Sequence, residues 1–169
     1  MKKLAKLTAL LLTGVMLLLL ASCGAAPNPL TPEQQARQEI FNAINEARQK
    51  AGKSLLQEVP ALTQLEQEFI ENFRKAGTNG IPLSEAEKLE EELYNKQKEA
   101  GWQFTGGIAY SQFGSFAKLS CVYEGDTPEF RNTLKYFSGA EDASTAISIG
   151  VVTIEGKIYW TATTLKPIT

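Results

Sequence analysis

Histidine is missing from the chain altogether, and cysteine occurs only twice, at Cys23 and Cys121. Without an imidazole there is no histidine general base, no Ser-His-Asp or Cys-His nucleophile system and no histidine-ligated zinc. Two thiols cannot form a cysteine cage either. Basic charge is also in short supply: 17 Lys and Arg stand against 19 Asp and Glu, a net charge of −2. Phosphate backbones are bound by basic faces, so no nucleic-acid partner is expected. Long apolar runs are absent except at residues 7–21, which is short for a bilayer span of about 20 residues.

That run follows Lys2, Lys3 and Lys6, the pattern of an export signal, and it ends Leu20-Ala21-Ser22-Cys23. The stretch resembles the bacterial lipoprotein box. The resemblance implies removal of residues 1–22, acylation of Cys23 and anchoring by two or more acyl chains, each buried CH₂ contributing about 0.8 kcal/mol. Removing the leader with its three lysines takes the net charge from −2 to −5. Anionic headgroups would then offer no attraction, leaving the membrane contact to the lipid. Gly24 resembles the residue that sends lipoproteins to the outer membrane of a double-membrane bacterium. In a single-membrane cell the expected place is the outer face of the cell membrane. Acylation of Cys23 leaves Cys121 as the one thiol, so no internal disulfide is expected.

Residues 23–31, rich in Pro and small residues, read as the lipidated cysteine and a flexible tether. Residues 32–169 read as one domain, of a size that buries about 68–70% of its unfolded surface. Thr31, Pro32 and Gln34 form a capping box for a first helix. Its apolar stripe is Ala36, Ile40, Ala43, Ile44, Ala47 and Ala51, and Gly52 stops it. Pro60 opens a second helix with Leu62, Leu65, Phe69, Ile70, Phe73 and Ala76 inward, ended by Gly77. Ser84 and Glu87 suggest a capping box for a third helix, which places Ala86, Leu89, Leu93 and Ala100 inward. The glutamates of that helix read as a solvated face, with Glu92 paired to Lys96. Strands are predicted over 104–111 and 116–123, a short helix from Thr127-Pro128, and a closing hairpin of 146–154 and 157–165. Glu155-Gly156 is its two-residue turn. Cys121 alternates with Ala117, Leu119 and Tyr123 and reads as a small core residue. Trp102, Tyr110 and Phe113 flank Gly106-Gly107 and read as core or as the lining of a groove.

The stretch IFNAINEARQKAGKSLLQEVPALTQLEQEF resembles the opening of bacterial CAP superfamily domains, the family of cysteine-rich secretory, antigen 5 and pathogenesis-related proteins. Ile44-Asn45, Arg48, Gly52, Leu56, Pro60 and Leu62 carry the match. EAGWQFTGGIAYS is similar to the family's "GENIay" segment, and TAISIGVVTIEGKIYW to its closing hairpin. The resemblance implies an α+β fold, an α-β-α sandwich of N-terminal helices, an antiparallel sheet and one further short helix. It also implies a cleft, here expected at Glu85, Gly106, Gly107, Tyr110, Ser138 and Glu141. The family's cleft usually carries two histidines and two acidic residues. Glu85 and Glu141 fall near the histidine positions and Gly106-Gly107 replaces an acidic one, so the tetrad is read as lost. Ca²⁺ or Mg²⁺ between the two glutamates is conceivable, as is a surface role for both. No cofactor, metal or catalytic residue is assigned.

The expectation is therefore a lipid-anchored, non-enzymatic binding or scaffold protein of the cell envelope. Its candidate partners are cell-wall material, a lipid or an envelope protein. The alternatives are a carboxylate-dependent hydrolase of envelope polymers and a structural spacer. Cys23→Ser should leave the chain unacylated with residues 1–22 attached, as read by intact mass of the cell-derived protein.

Overall fold

A computed structural model describes residues 29–139 and 143–169; Cys23 and Glu141 lie outside them. Helix α1 spans Pro32–Lys50. Its start follows the capping chemistry: Thr31 Oγ1 accepts from the Gln34 N–H, and Gln34 Oε1 accepts from the Thr31 N–H. Strand β1 (Gln57–Glu58) leads to α2 (Pro60–Ala76), which Gly77 ends with φ 65°. A 3₁₀ turn over Gly77–Asn79 and β2 (Ile81–Pro82) precede α3 (Leu83–Glu99). Four strands follow, β3 (Trp102–Ile108), β4 (Tyr110–Phe113), β5 (Phe116–Leu119) and β6 (Val122–Tyr123). Then come α4 (Pro128–Gly139), β7 (Ala146–Ile154) and β8 (Lys157–Pro167).

The main sheet runs β1-β7-β8-β3, with β6 on the other stretch of β8. Only β1 pairs in parallel, with β7. A smaller antiparallel sheet runs β2-β5-β4. The β7–β8 turn places Glu155 at φ 50° and Gly156 at φ 78°, the positive-φ pair that a tight hairpin needs. The fold is thus α+β, helices and a largely antiparallel sheet.

Alternation along β7 assigns the layers. Ile147, Ile149 and Val151 pack with Ala36, Ile40 and Ile44 of α1 and Phe130 and Phe137 of α4. Ala146, Val152 and Ile154 point the other way and pack with Leu62 and Ile70 of α2. Helices therefore cover both faces of the sheet. Helix α3 lies beside α2, joined through Phe69, Phe73, Ala86 and Leu93, and this cluster caps the small sheet at Ala117.

Several local expectations are corrected. Helix α3 starts one residue before Ser84 and has no side-chain cap at its N-cap Pro82, so the Ser84–Glu87 box does not form. Pro82 pairs with Phe116 while the Leu83 N–H bonds the Ser115 carbonyl, and this sheet contact sets the helix start instead. Ala51 and Ala100 are exposed, and the turns before them bury Arg48 and Gln97. Glu92 pairs with Lys88, while Lys96 reaches Glu68 on α2. Each strand foreseen between 104 and 123 is broken in two, because the chain leaves the main sheet at Ala109 and returns at Val122. Cys121 accordingly packs with the α1 cluster, whereas Ala117 and Leu119 belong to the α2–α3 cluster.

Gly150 lies directly beneath α2: a Cβ there would meet the Glu66 carbonyl oxygen at 2.7 Å and Ile70 Cγ2 at 2.9 Å. Backbone cannot yield as a flexible side chain can. Gly150→Ala should cost about 1–3 kcal/mol in urea unfolding, by pushing α2 off the sheet.

Candidate functional site

The α2 stripe contains one residue that does not belong there by polarity. Glu66 follows Leu62 by one turn and precedes Ile70 by one turn, so helical geometry carries it against the sheet. It is 1% exposed. The approach is close because Gly150 sits opposite. On β7 and β8 the same face offers hydroxyls: Ser148 Oγ donates to Glu66 Oε2 at 3.1 Å and Thr163 Oγ1 donates to it at 2.6 Å. Thr161 stands on the same face, in a contact too loose for hydrogen-bond geometry. Burial drives the Glu66 pKa above its ordinary value, the hydroxyls pull against it, and the negative charge of Glu90 adds to the rise.

Glu66 borders a cavity of about 130 Å³ between α2, α3, β3 and β8. Glu90 and Tyr94 come to it from α3, and Phe104 and Gly107 from β3. A bulge sets the β3 contribution. The register with β8 shifts between Phe104 and Gly106, so Phe104 faces the same side as Gly107 rather than Gly106. At Gly107 a Cβ would stand 2.8 Å from the Ala162 carbonyl oxygen, so glycine permits the close strand contact. Glu90 is held by two phenols: Tyr94 Oη donates at 2.6 Å and Tyr110 Oη at 3.0 Å. Burial first, and then the bond to Glu90, push Tyr110 up to about 12 and raise Tyr94 further. Both phenols stay protonated donors across the physiological range.

The foreseen cleft residues are only partly neighbours. Gly107 lines this cavity and Tyr110 reaches it through Glu90. Gly106 faces α4 instead, with a Cβ there 3.0 Å from Tyr136 Oη, and Tyr136 Oη accepts the Gly107 N–H at 3.1 Å. Glu85 is exposed near the start of α3. Ser138 lies across the sheet on α4 and donates to the Lys135 carbonyl at 3.0 Å. It borders a separate groove of about 500 Å³ between α1 and α4, where Tyr123 Oη donates to Glu39 at 2.6 Å and holds that carboxyl below its usual range. The structure therefore does not bring Glu85 and Ser138 together, and Glu141 lies outside the described residues. Of the groups at the cavity, Glu66, Tyr94 and Thr163 were missed. The signal for Glu66 was its place inside the Leu62, Phe69, Ile70, Phe73 stripe.

Among the described residues no three His, Cys, Asp or Glu side chains gather in a metal-binding cluster. Cys121 is half-buried and burial raises its thiol pKa, the opposite of an activated nucleophile. No family model matches the chain, and no curated protein and no solved structure matches it significantly.

A carboxyl with a raised native pKa binds its proton more tightly folded than unfolded. That contribution to stability is complete below the unfolded value near 4.5 and is lost as pH rises through the native value. Glu66→Gln keeps the shape and cannot ionise. Its stability relative to the parent should rise as pH climbs above the unfolded value near 4.5 and level off once native Glu66 has ionised, in paired urea titrations.

Proposed function

We propose that the chain is an exported, lipid-anchored envelope protein whose CAP-like domain binds rather than cleaves its target. The reading of the domain is supported by what the motif residues do. Asn45 Nδ2 donates to the Leu56 carbonyl and its Oδ1 accepts the Leu56 N–H, at 3.0 and 2.8 Å. Arg48 donates to the carbonyls of Ser54 and Phe137, at 2.8 and 2.9 Å. The helix-to-link motif is thus a structural clamp, as a family signature needs to be. The Gly106-Gly107 segment pairs directly with the closing hairpin, Gly106 opposite Thr164 and Gly107 opposite Thr163.

One observation carries the preference for binding: the cavity is narrow and its carboxylates are already engaged. Glu66 accepts two hydroxyls on one oxygen and Glu90 accepts two phenols. Sites that enclose a whole ligand usually offer about 300–1,000 Å³, and this one offers about 130 Å³. The competing hydrolase reading has one point in its favour, a raised-pKa carboxyl near a second carboxylate, the usual acid–base pairing. A cavity of about 130 Å³ is too small to enclose a stretch of sugar polymer.

Cell-derived protein should lack an unmodified thiol at Cys23 and should sediment with envelope fractions. Incubation with purified wall material should release no soluble fragments. Release that disappears on Glu66→Gln would replace this reading with the hydrolase.

A further inference from the structure

One end of the molecule gathers around the point where the tether enters. Glu33, in the first turn of α1, accepts the Thr153 N–H at 2.7 Å and pairs with Arg74 near the end of α2 at 2.6 Å. Thr78 Oγ1 donates to Glu155 of the β7–β8 turn at 3.0 Å. Two residues on, Gly80 lies against the Ala117 carbonyl, and Pro82 pairs with Phe116. The tether, the start of α3 and the β4–β5 hairpin therefore share this end. The eight residues from Cys23 to Leu30 span at most about 28 Å when fully extended, so an acylated Cys23 keeps this end close to its bilayer.

The hairpin is two-faced. Tyr110, Ala117 and Leu119 pack into the α2–α3 cluster. Alternation turns Phe113 and Phe116 the other way, and they pair directly across the Gly114-Ser115 turn, with Gly114 at φ 62°. The rings are 57% and 46% exposed, and every residue from Gln112 to Phe116 is exposed. Residues 109–117 carry no charge in a chain that is 21% charged, so the rings can enter an apolar layer without drawing an ion after them. Two phenylalanines bury at most about 500 Å², short of the roughly 800 Å² each partner gives a stable protein interface. A lipid surface has no such threshold, since its contact grows with each apolar group inserted.

We propose that the β4–β5 hairpin tip is a lipid-contact wedge: Phe113 and Phe116 enter the interfacial layer of the bilayer that carries Cys23. This rests on the lipid-anchor reading above for the nearness of the bilayer. The acyl chains hold the protein, and the wedge fixes which way the domain faces. Lys118, two residues behind Phe116, and Glu85, in the first turn of α3, stay at headgroup level and limit the depth to the two rings.

The test uses the full chain, purified from cells and reconstituted into phosphatidylcholine vesicles. Phe113→Trp is the reporter, and the parent is subtracted to remove Trp102 and Trp160. Glu99→Trp is the control, about 25 Å away at the far end of α3. Phosphatidylcholine brominated in its acyl chains should quench Phe113→Trp and leave Glu99→Trp unchanged, while acrylamide in the water should quench mainly the control. Adding Phe116→Ser to the reporter should at least halve the lipid quenching; Phe116→Leu, which keeps the apolar contact, should retain it. Acrylamide quenching of Phe113→Trp equal to that of the control would overturn the proposal, because the ring then lies in water. Quenching by neither would overturn it too, because protein, a second copy or another partner, then covers the tip. Intact mass of the same sample reads Cys23 separately. An acylated chain whose tip the brominated lipid does not quench would sink this inference alone. An unmodified Cys23 thiol in a chain whose tip is so quenched would sink the lipid-anchor reading alone.

Discussion

Burial of β7 from both sides is the constraint on which the structure depends. Every position from Ala146 to Ile154 except Thr153 is buried. A strand in that situation needs an apolar cover on each face, and one layer of helices cannot provide two. The chain supplies α1 and α4 for one face and α2 for the other. The tight turn at Glu155-Gly156 then fixes β8 in register along the whole of β7. β8 in turn fixes β3, and the bulge on β3 decides which residues look into the α2 side.

The two covers differ in chemistry. The α1 face is a plain aromatic and aliphatic core, with Phe130 and Phe137 packed on Trp160. The α2 face carries a polar stripe through its middle, with Ser148, Gly150, Thr161 and Thr163 paired across the hairpin. An apolar helix over such a stripe would leave buried hydroxyls without acceptors, at about 1–3 kcal/mol each. Glu66 is the acceptor that answers Ser148 and Thr163. The helix can come near enough to deliver it only because position 150 has no side chain. Polar stripe, missing side chain and buried acid form one arrangement, and the cavity beside Glu90 is its open end. The same arrangement explains why the acid stays neutral more readily than usual: two hydroxyls on one oxygen do not repay the loss of water around a full charge.

Legibility in the sequence followed how local the cause was. The Thr31 cap, the Gly77 stop and the Glu155-Gly156 turn depend on residues a few positions apart, and the structure has them where the spacing puts them. The third helix start was misread because its determinant is the Pro82–Phe116 strand pairing, which is distant in sequence. Arg48 entered only as a residue of the family resemblance, and its burial has a distant cause, since carbonyls of Ser54 and of Phe137 on α4 come to meet it. Glu66 was the costliest omission. Its polarity argued for solvent and its spacing argued for the core, and spacing prevailed because hydroxyls from two strands wait there. Nothing local to α2 announces those partners. Gly107 and Tyr110 were singled out in advance, and the bulge falls just before the glycine pair, between Phe104 and Gly106, where glycines in a strand mark an irregularity without saying which residues it turns inward.

Glu66 can be interrogated directly. Carboxyl carbon-13 chemical shifts of the glutamates, followed by NMR from pH 3 to 9 and assigned by the loss of one resonance in Glu66→Gln, report its titration in the folded chain. The account predicts a Glu66 midpoint clearly above the ordinary value of 4.5. A midpoint at or below that value would contradict it, since the carboxyl would then be solvated or paired with a cation rather than buried among hydroxyls.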